Sequence, residues 1–357
     1  MNFTINRTEL NKAIKAVFPA IKSSIVIPIC ETIKFDLSAS ELVLTATNMQ
    51  VEITSKIDGE FKESASFCLP ALKLKNLIEN LPDQPLIFEI DSKCLIKTSS
   101  GKYEFPISES KDFPVFKSET DKSIAINSEV FVSAIKKTIF ACSDDDLRPQ
   151  QTGVFIEIVG GKILFTSTDA HRINHVESEI ESELETSMII PASSLSILPE
   201  LQGDLEILFS SNSISISSGS TSFKSTLIDA EFPAYRSVIP VNDKTMTVDR
   251  LTLLGALKRV SGFSNYKTNL LKLEAGKKVI ISGQNIEYSE YGEEEIKADY
   301  SHDELTIGLS CEYLTESVSA LTSPELFILL SAPNRGVLIK ESIESNNYIL
   351  VMPMSLK

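Results

Sequence analysis

The chain has no tryptophan and only three histidines among its 357 residues. Few imidazoles leave little material for general acid–base work or metal ligation near neutral pH. The five cysteines (Cys30, Cys68, Cys94, Cys142 and Cys311) are scattered, odd in number and free of any C-x-x-C spacing. That argues against a disulfide framework or a zinc ribbon and predicts reduced thiols. No run of 18 apolar residues occurs, so no membrane-spanning helix is expected. The opening M-N-F-T-I-N-R has no apolar signal region, and a cytoplasmic protein is expected. No G-x-G-x-x-G is present, and G-G-K at 160–162 lacks the flanking glycine spacing and following Ser or Thr of a phosphate loop. His171 and His175 are four apart, a zinc spacing on a helix. The run T-S-T-D-A-H-R-I-N-H-V-E alternates like a strand instead, which separates them by roughly 13 Å. Asp169, His171 and Arg172 have no Ser or Cys nucleophile motif beside them. The residues therefore predict no enzyme, no cofactor and no metal site; a hydrolase using Asp169 and His171 is a minor alternative.

What the chain does have is a faint threefold repeat. I-N-R-T-E-L-N-K-A-I-K begins at Ile5, I-N-S-E-V-F-V-S-A-I-K at Ile126 and V-D-R-L-T-L-L-G-A-L-K at Val248. Each places an Asn or Asp seven residues before an Ala, followed by Ile or Leu and then Lys. A period near a third of the chain implies three similar domains rather than a solenoid. Second helices are expected at L-P-A-L-K-L-K-N-L, I-P-A-S-S-L-S-I-L and L-S-C-E-Y-L-T-E-S-V, headed by Pro70, Pro191 and Ser310, each with a Leu four residues on (Leu74, Leu195, Leu314). Between the helices, alternating runs turn at Ser38–Ser40, at Gly160-Gly161 and at Gly276, the hairpin pattern. Each copy reads helix, strands, helix, strands, an α+β fold. Borders are expected in the polar stretches Lys117–Ser123 and Val241–Thr245, giving domains 1–120, 121–244 and 245–357.

The net charge of −15 would repel phosphate if evenly spread. It is not. The six helical segments together carry +5, leaving −20 for the rest. An acidic sheet layer and a locally basic helical layer make a polarised molecule, although solvated charge runs alone would look similar.

Several segments carry a family resemblance: T-D-A-H-R at 168–172, F-A-C-S-D-D-D-L-R-P at 140–149, E-F-P-A-Y-R-S-V-I-P at 231–240 and the terminal Y-I-L-V-M-P-M-S-L. Together with the repeat, the whole chain resembles the β sliding clamp of bacterial DNA polymerase III. The resemblance implies three clamp domains per chain, each with two helices on β-sheet, and two chains head to tail in a six-domain ring. Duplex DNA would be encircled without sequence specificity, and a cleft would receive short peptide motifs from polymerase III subunits, the clamp loader and repair polymerases. Twelve helices packed about 8–10 Å apart would enclose a hole roughly 30–38 Å across. A β-rich binding scaffold without DNA is the rival reading.

The resemblance also implies sites. The DNA-facing candidates are Lys12, Lys15, Lys22, Lys73, Lys75, Lys136, Lys137, Arg148, Lys258 and Arg259; a salt bridge from Arg148 to Asp145 or Asp146 is the alternative for that residue. The cleft candidates are Thr168, His171, Arg172, Ile173, Pro233, Val238, Val337, Met352, Pro353, Met354 and Leu356, with Tyr348–Leu356 expected as a last strand. The dimer-interface candidates are Lys102, Phe105, Ile107, Phe263, Glu290, Glu293 and Glu294, with Phe105, Ile107 and Phe263 as an apolar centre. Ala170 stands where the family has Gly, so the backbone there is expected to avoid positive φ. Ser237 and Ser355 occupy positions often basic in the family, and Lys357 extends the end.

Overall fold

The structure is a computed structural model that describes residues 1–22, 27–118 and 120–356. Glu119, inside the first expected border, and Lys357 lie outside the described residues. The repeat has a direct physical origin. Asn6, Asn127 and Asp249 each precede a first helix: α1 (Arg7–Val17), α3 (Ser128–Thr138) and α5 (Arg250–Ser261). Their side-chain oxygens accept from Thr8 N at 2.7 Å, Glu129 N at 2.9 Å and Thr252 N at 2.7 Å. Each satisfies one of the orphan amides that open a helix. Seven residues on, Ala13, Ala134 and Ala256 are buried, as are Ile14, Ile135 and Leu257 after them. The next residues, Lys15, Lys136 and Lys258, are exposed. The repeat thus records a cap, a close-packed small residue and an outward cation.

The second helices are α2 (Ala71–Asn80), α4 (Ala192–Leu195) and α6 (Cys311–Ala320). α4 is a correction to the expected pattern: a single turn, where a helix over 191–202 was expected. Its S-S-L-S run offers hydroxyls that compete for backbone groups, and Pro199 follows. Leu74, Leu195 and Leu314 are all buried as the spacing requires.

Packing divides the chain into two compact units, 1–132 with 193–229 and 133–192 with 230–357. The middle third contributes to both, because strands of adjoining thirds pair within one sheet. In the first unit a nine-stranded sheet runs, in order, Lys122–Asn127, Asp204–Phe209, Ser213–Ser218, Thr221–Thr226, Val51–Asp58, Glu41–Thr47, Thr32–Leu37, Ala65–Pro70 and Ser108–Glu109. A four-stranded sheet runs Asn2–Asn6, Pro85–Ile90, Lys93–Lys97 and Lys102–Pro106. In the second unit the nine strands are Thr186–Pro191, Gly153–Val159, Lys162–Thr168, Arg172–Glu179, Tyr348–Val351, Val337–Lys340, Glu325–Leu330, Lys244–Asp249 and Ala298–Tyr300. Its four-stranded sheet is Glu290–Ile296, Val279–Asn285, Leu270–Ala275 and Leu305–Ser310. All three expected hairpins form, with Gly160 and Gly161 at φ 58° and 73° in the tightest.

Two buried groups tie the second unit to pH. Burial holds His175 down at about 4 from its ordinary 6.5. Its ring shares a 2.9 Å hydrogen bond with Thr166 Oγ1 and stacks on Tyr348 at 5.0 Å. Burial would raise Glu341, but the Lys137 ammonium and the amides of Thr322 and Ser323 outweigh it and hold the carboxyl at about 2. The neutral His175 favours the fold above pH 6.5, and that contribution is lost as pH falls to about 4. The Glu341 contribution is present above its ordinary 4.5 and lost toward about 2. Stability measured by denaturant should therefore fall from pH 7 to pH 4. His175→Gln should flatten that slope by up to about 1.4 kcal/mol per pH unit; an unchanged slope would remove His175 from the acid response.

Candidate nucleic-acid and peptide interfaces

The ten candidate cations fall into two groups. Lys12, Lys15, Lys22, Lys73, Lys136 and Lys258 are exposed and have no ion-pair partner among the described residues. The other four are engaged in ion pairs. Lys75 Nζ lies 3.0 Å from Glu79 and over the Phe18 ring at 4.9 Å. Lys137 lies 2.8 Å from Glu341. Arg259 makes a two-point contact with Glu294 at 2.8 and 2.5 Å. Arg148 Nε is 3.8 Å from Asp145, the alternative foreseen for it, although more than half its side chain stays exposed.

The T-D-A-H-R segment is a hairpin loop joining Lys162–Thr168 to Arg172–Glu179. Thr168 Oγ1 donates to Arg172 O at 2.7 Å and accepts from Ala170 N at 3.1 Å. Asp169 Oδ1 accepts from His171 N at 2.9 Å and Arg172 N at 3.0 Å. Ala170 sits at φ 74°, so the expectation that it avoids the left-handed region is wrong. Hydrogen bonds on both sides over-determine the turn, and Ala bears the strain. The first unit holds the same device. Thr47 Oγ1 donates to Val51 O at 2.7 Å, Asn48 Oδ1 accepts from Gln50 N at 3.0 Å and Val51 N at 2.8 Å, and Met49 has φ 78°. Thr168 and Asp169 are therefore turn-formers.

Arg172 is 6% exposed, and its guanidinium is engaged by protein on all sides. Nε donates to Asp169 Oδ2 at 2.9 Å, Nη2 to Phe140 O at 2.8 Å and Nη1 to Glu316 Oε2; the Tyr313 ring lies 4.5 Å away. It braces the cleft region rather than presenting a free charge. Val337 is 0% exposed and Ile173 5%, so both belong to the sheet's packed interior. Their strands pair on either side of Tyr348–Val351, so neither lies at a sheet edge. The residues left open are His171, Val238, Met352 and Leu356, with Pro233, Pro353 and Met354 half-buried. Pro233 precedes and Val238 ends the 3-10 turn Tyr235–Val238, which Glu157 holds through Tyr235 Oη at 2.8 Å and Arg236 at 3.1 and 2.8 Å. The last strand stops at Val351, short of the expected Leu356, because Pro353 has no N–H to continue the ladder. Met352 N still donates to His171 O at 2.8 Å and Met354 N to Gly308 O at 2.7 Å. At Gly308 a Cβ would stand 2.5 Å from Met354 O, so only glycine lets the tail lie down. Ser237 Oγ is tied to Ala234 O at 2.7 Å, while Ser355 is exposed. Sequence reasoning missed Tyr313, half-buried beside His171 with ring centroids 6.0 Å apart. Its place next to inward Leu314 in the first turn of α6 was the available signal.

The expected interface strands are both sheet ends: Lys102–Pro106 closes the first four-stranded sheet and Glu290–Ile296 the last. Lys102, Glu290 and Glu293 are exposed, and Ile107 is half-buried. Phe105, however, is 6% exposed; strand alternation turns it into its own domain's core, so it is no free apolar centre. Phe263 is 42% exposed and packs on the backbone of Gly292, where a Cβ would meet its ring at 2.5 Å. Ile286, Tyr288 and Tyr291, which sequence reasoning passed over, are more exposed still. Glu294 is engaged with Arg259.

Comparison with known proteins bears on the whole chain. Models of the DNA polymerase III beta subunit match it in succession: the N-terminal domain over 1–117, the central domain over 125–234 and the C-terminal domain over 236–355. The chain is 29% identical over 369 residues to the beta sliding clamp of Pseudomonas putida, with both chains fully covered. It is 25% identical to that of Bacillus subtilis, covering 99% of each. The crystal structure of the DNA polymerase sliding clamp from Pseudomonas aeruginosa with ligand superposes with a TM-score of 0.94 at 27% identity, covering 100% of both.

One substitution tests the turn. Ala170→Gly should stabilise the protein by up to about 1 kcal/mol in urea unfolding, since glycine takes positive φ without a Cβ clash. The control Ala13→Gly, in the regular helix α1, should destabilise by a similar amount. A loss of stability at Ala170→Gly would show that the turn is not strained.

Proposed function

The chain belongs to the DNA polymerase III beta subunit family, a non-catalytic processivity factor, and from that we propose that two copies close head to tail into a ring around duplex DNA. The domain borders are those of the repeat, 1–120, 121–244 and 245–357. The ring slides because its contacts are loose. The six lysines with no ion-pair partner among the described residues meet backbone phosphate without reading bases, and salt screens them. Retention comes from topology, so tight affinity is unnecessary. The exposed His171, Val238, Met352 and Leu356 receive short apolar peptide motifs from polymerase and repair partners in the cytoplasm. Met352 and Met354 are flexible enough to suit several such partners. With α4 reduced to one turn, the lining has five helices of ten or more residues per chain rather than six. The matched repeat of clamp domains over the full length is the observation that carries this reading. Protein loaded on nicked circular DNA should stay bound in a gel-filtration assay and fall off when the circle is cut. Equal retention on linear DNA would refute encirclement.

The repeat also supplies a register for the ring seam. Val51–Asp58 pairs with Thr221–Thr226, placing Thr54 level with the residue beside Phe223, since Phe223 faces Ile53. At the equivalent place Arg172–Glu179 pairs with Tyr348–Val351, and His175 faces Tyr348. The third-domain counterpart of His175 is Glu293, because Thr166 faces His175 as Ser282 faces Glu293. The first-domain counterpart of Ser222 is Lys102, because Ser217 faces Ser222 as Lys97 faces Lys102. The two free edges then pair with Lys102 of one copy opposite Glu293 of the other, and with Tyr103 opposite Gly292. Opposite charges fit that register. Lys102→Glu and Glu293→Lys should each weaken the dimer by light scattering, and the double variant should recover it. Failure of the pair to rescue would reject this register.

A further inference from the structure

The open apolar tail beside His171 runs between exposed charges of opposite sign. His171 leads into Arg172–Glu179 and Gly336 into Val337–Lys340, and these strands pair on opposite sides of Tyr348–Val351. On the first side, Met352 N donates to His171 O at 2.8 Å, and the His171 ring lies 6.0 Å from that of Tyr313 in the first turn of α6. Further along the tail, a Cβ built on Gly308 would stand 2.9 Å from Leu356 Cδ2. The chain passes from there to Ser310, whose Oγ caps α6 by accepting from Tyr313 N at 3.2 Å. The start of α6 therefore flanks the tail. On the second side, a Cβ built on Gly336 would stand 3.6 Å from Met352 Sδ, and exposed Arg335 immediately precedes that glycine.

The α6 flank is acidic. Glu312 and Glu316 are exposed on either side of Tyr313 in sequence. Burial first, and then the carboxylates of Asp169, Glu312 and Glu316, hold the Tyr313 phenol above its ordinary 10, and Arg172 opposes them. Arg172 pairs with Asp169 and Glu316 but is only 6% exposed, so it offers no charge outward. Glu312 Oε2 accepts from the neutral Asn269 Nδ2 at 2.9 Å and has no ion-pair partner among the described residues. The partial positive charge that opens α6 is offset by Glu312 itself and by the Ser310 cap. Arg335 also has no ion-pair partner among the described residues, whereas Arg236 is held by Glu157 at two points. Ser237 and Ser355 add hydroxyls and no charge. We propose that charge orients the peptide bound here. A basic residue on one side of its apolar pair lies toward Glu312 and Glu316, and an acidic residue on the other side lies toward Arg335. This rests on the peptide-cleft reading and adds to it a charge pattern and a direction.

The test uses full-length protein and two labelled peptides of one composition, each with a Leu-Phe pair. One carries Lys before the pair and Glu after it, and the other has Lys and Glu exchanged. Equal net charge removes any general attraction to an acidic protein, so fluorescence anisotropy reads order alone. One order should bind about threefold to tenfold more tightly at low salt, the range of a few exposed ion pairs. At about 1 M salt, where the Debye length is roughly 3 Å, the two should converge. Glu312→Gln with Arg335→Gln keeps the side-chain shapes and should make the peptides equal at low salt as well. Glu312→Lys with Arg335→Glu should reverse the preference, an outcome that mere loss of packing would not produce. Thermal melts would confirm that each variant is folded. Equal binding of the two peptides by the unaltered protein would overturn the inference and leave the cleft reading standing. A preference that survives both double variants would overturn its assignment to Glu312 and Arg335. Binding of neither peptide would instead overturn the cleft reading on which the inference rests.

Discussion

The rest of the structure depends on edge-to-edge pairing between strands of successive repeats. Val51–Asp58 joins Thr221–Thr226 in the first unit, and Arg172–Glu179 joins Tyr348–Val351 in the second. A strand edge exposes unpaired amides and carbonyls, and leaving them open invites association. Here each repeat's free edge is met by the next repeat. Each junction adds four or five ladder positions, so a three-part sequence folds as two packed units. The strands Lys102–Pro106 and Glu290–Ile296 are the ones left without a partner of this kind. Complementary edges at the two ends of a chain give a closed ring where the rotation between copies closes and a filament where it does not.

The same junctions explain where chemistry gathers. The hairpin loop that brings a repeat to its junction needs a left-handed residue, held by a Thr hydroxyl and an Asn or Asp side chain. Met49 and Ala170 fill that position in the two units. At the second junction Arg172 is braced by Asp169, Glu316 and the Phe140 carbonyl. With the backbone thus held, His171 and the tail from Met352 are fixed in place although they are exposed. Pro353 then stops the ladder and leaves apolar side chains open. The first junction carries the same turn without that apolar tail.

Charge is organised on the same plan. The net of −15 is compatible with a nucleic-acid partner because the outward position after each buried Ile or Leu is Lys in all three first helices. One step further along, position decides everything. Lys137 and Arg259 are bound by carboxylates that lie 204 and 35 residues away in sequence. Such pairs hold the fold in place and subtract from the charge available to phosphate.

Much was legible in the residues. Asn6, Asn127 and Asp249 announced helix starts because an N-cap is a local hydrogen bond, and Gly160-Gly161 announced a hairpin because few residues accept positive φ. Three repeats, their strands and the outward lysines followed from patterns a few residues long. What was not legible depended on partners distant in sequence. Phe105 and Val337 read as surface candidates until strand neighbours covered them, and Arg172 read as a free cation until Glu316 arrived from α6. Tyr313 came to lie beside the exposed His171 only when α6 set it there. The chain by itself determined the elements and their threefold order, since caps, turns and periodicity are contacts between near neighbours. Only the tertiary structure decided which cations are neutralised, which apolar side chains stay open and which strands end the sheets, since each depends on groups brought together by the sheets.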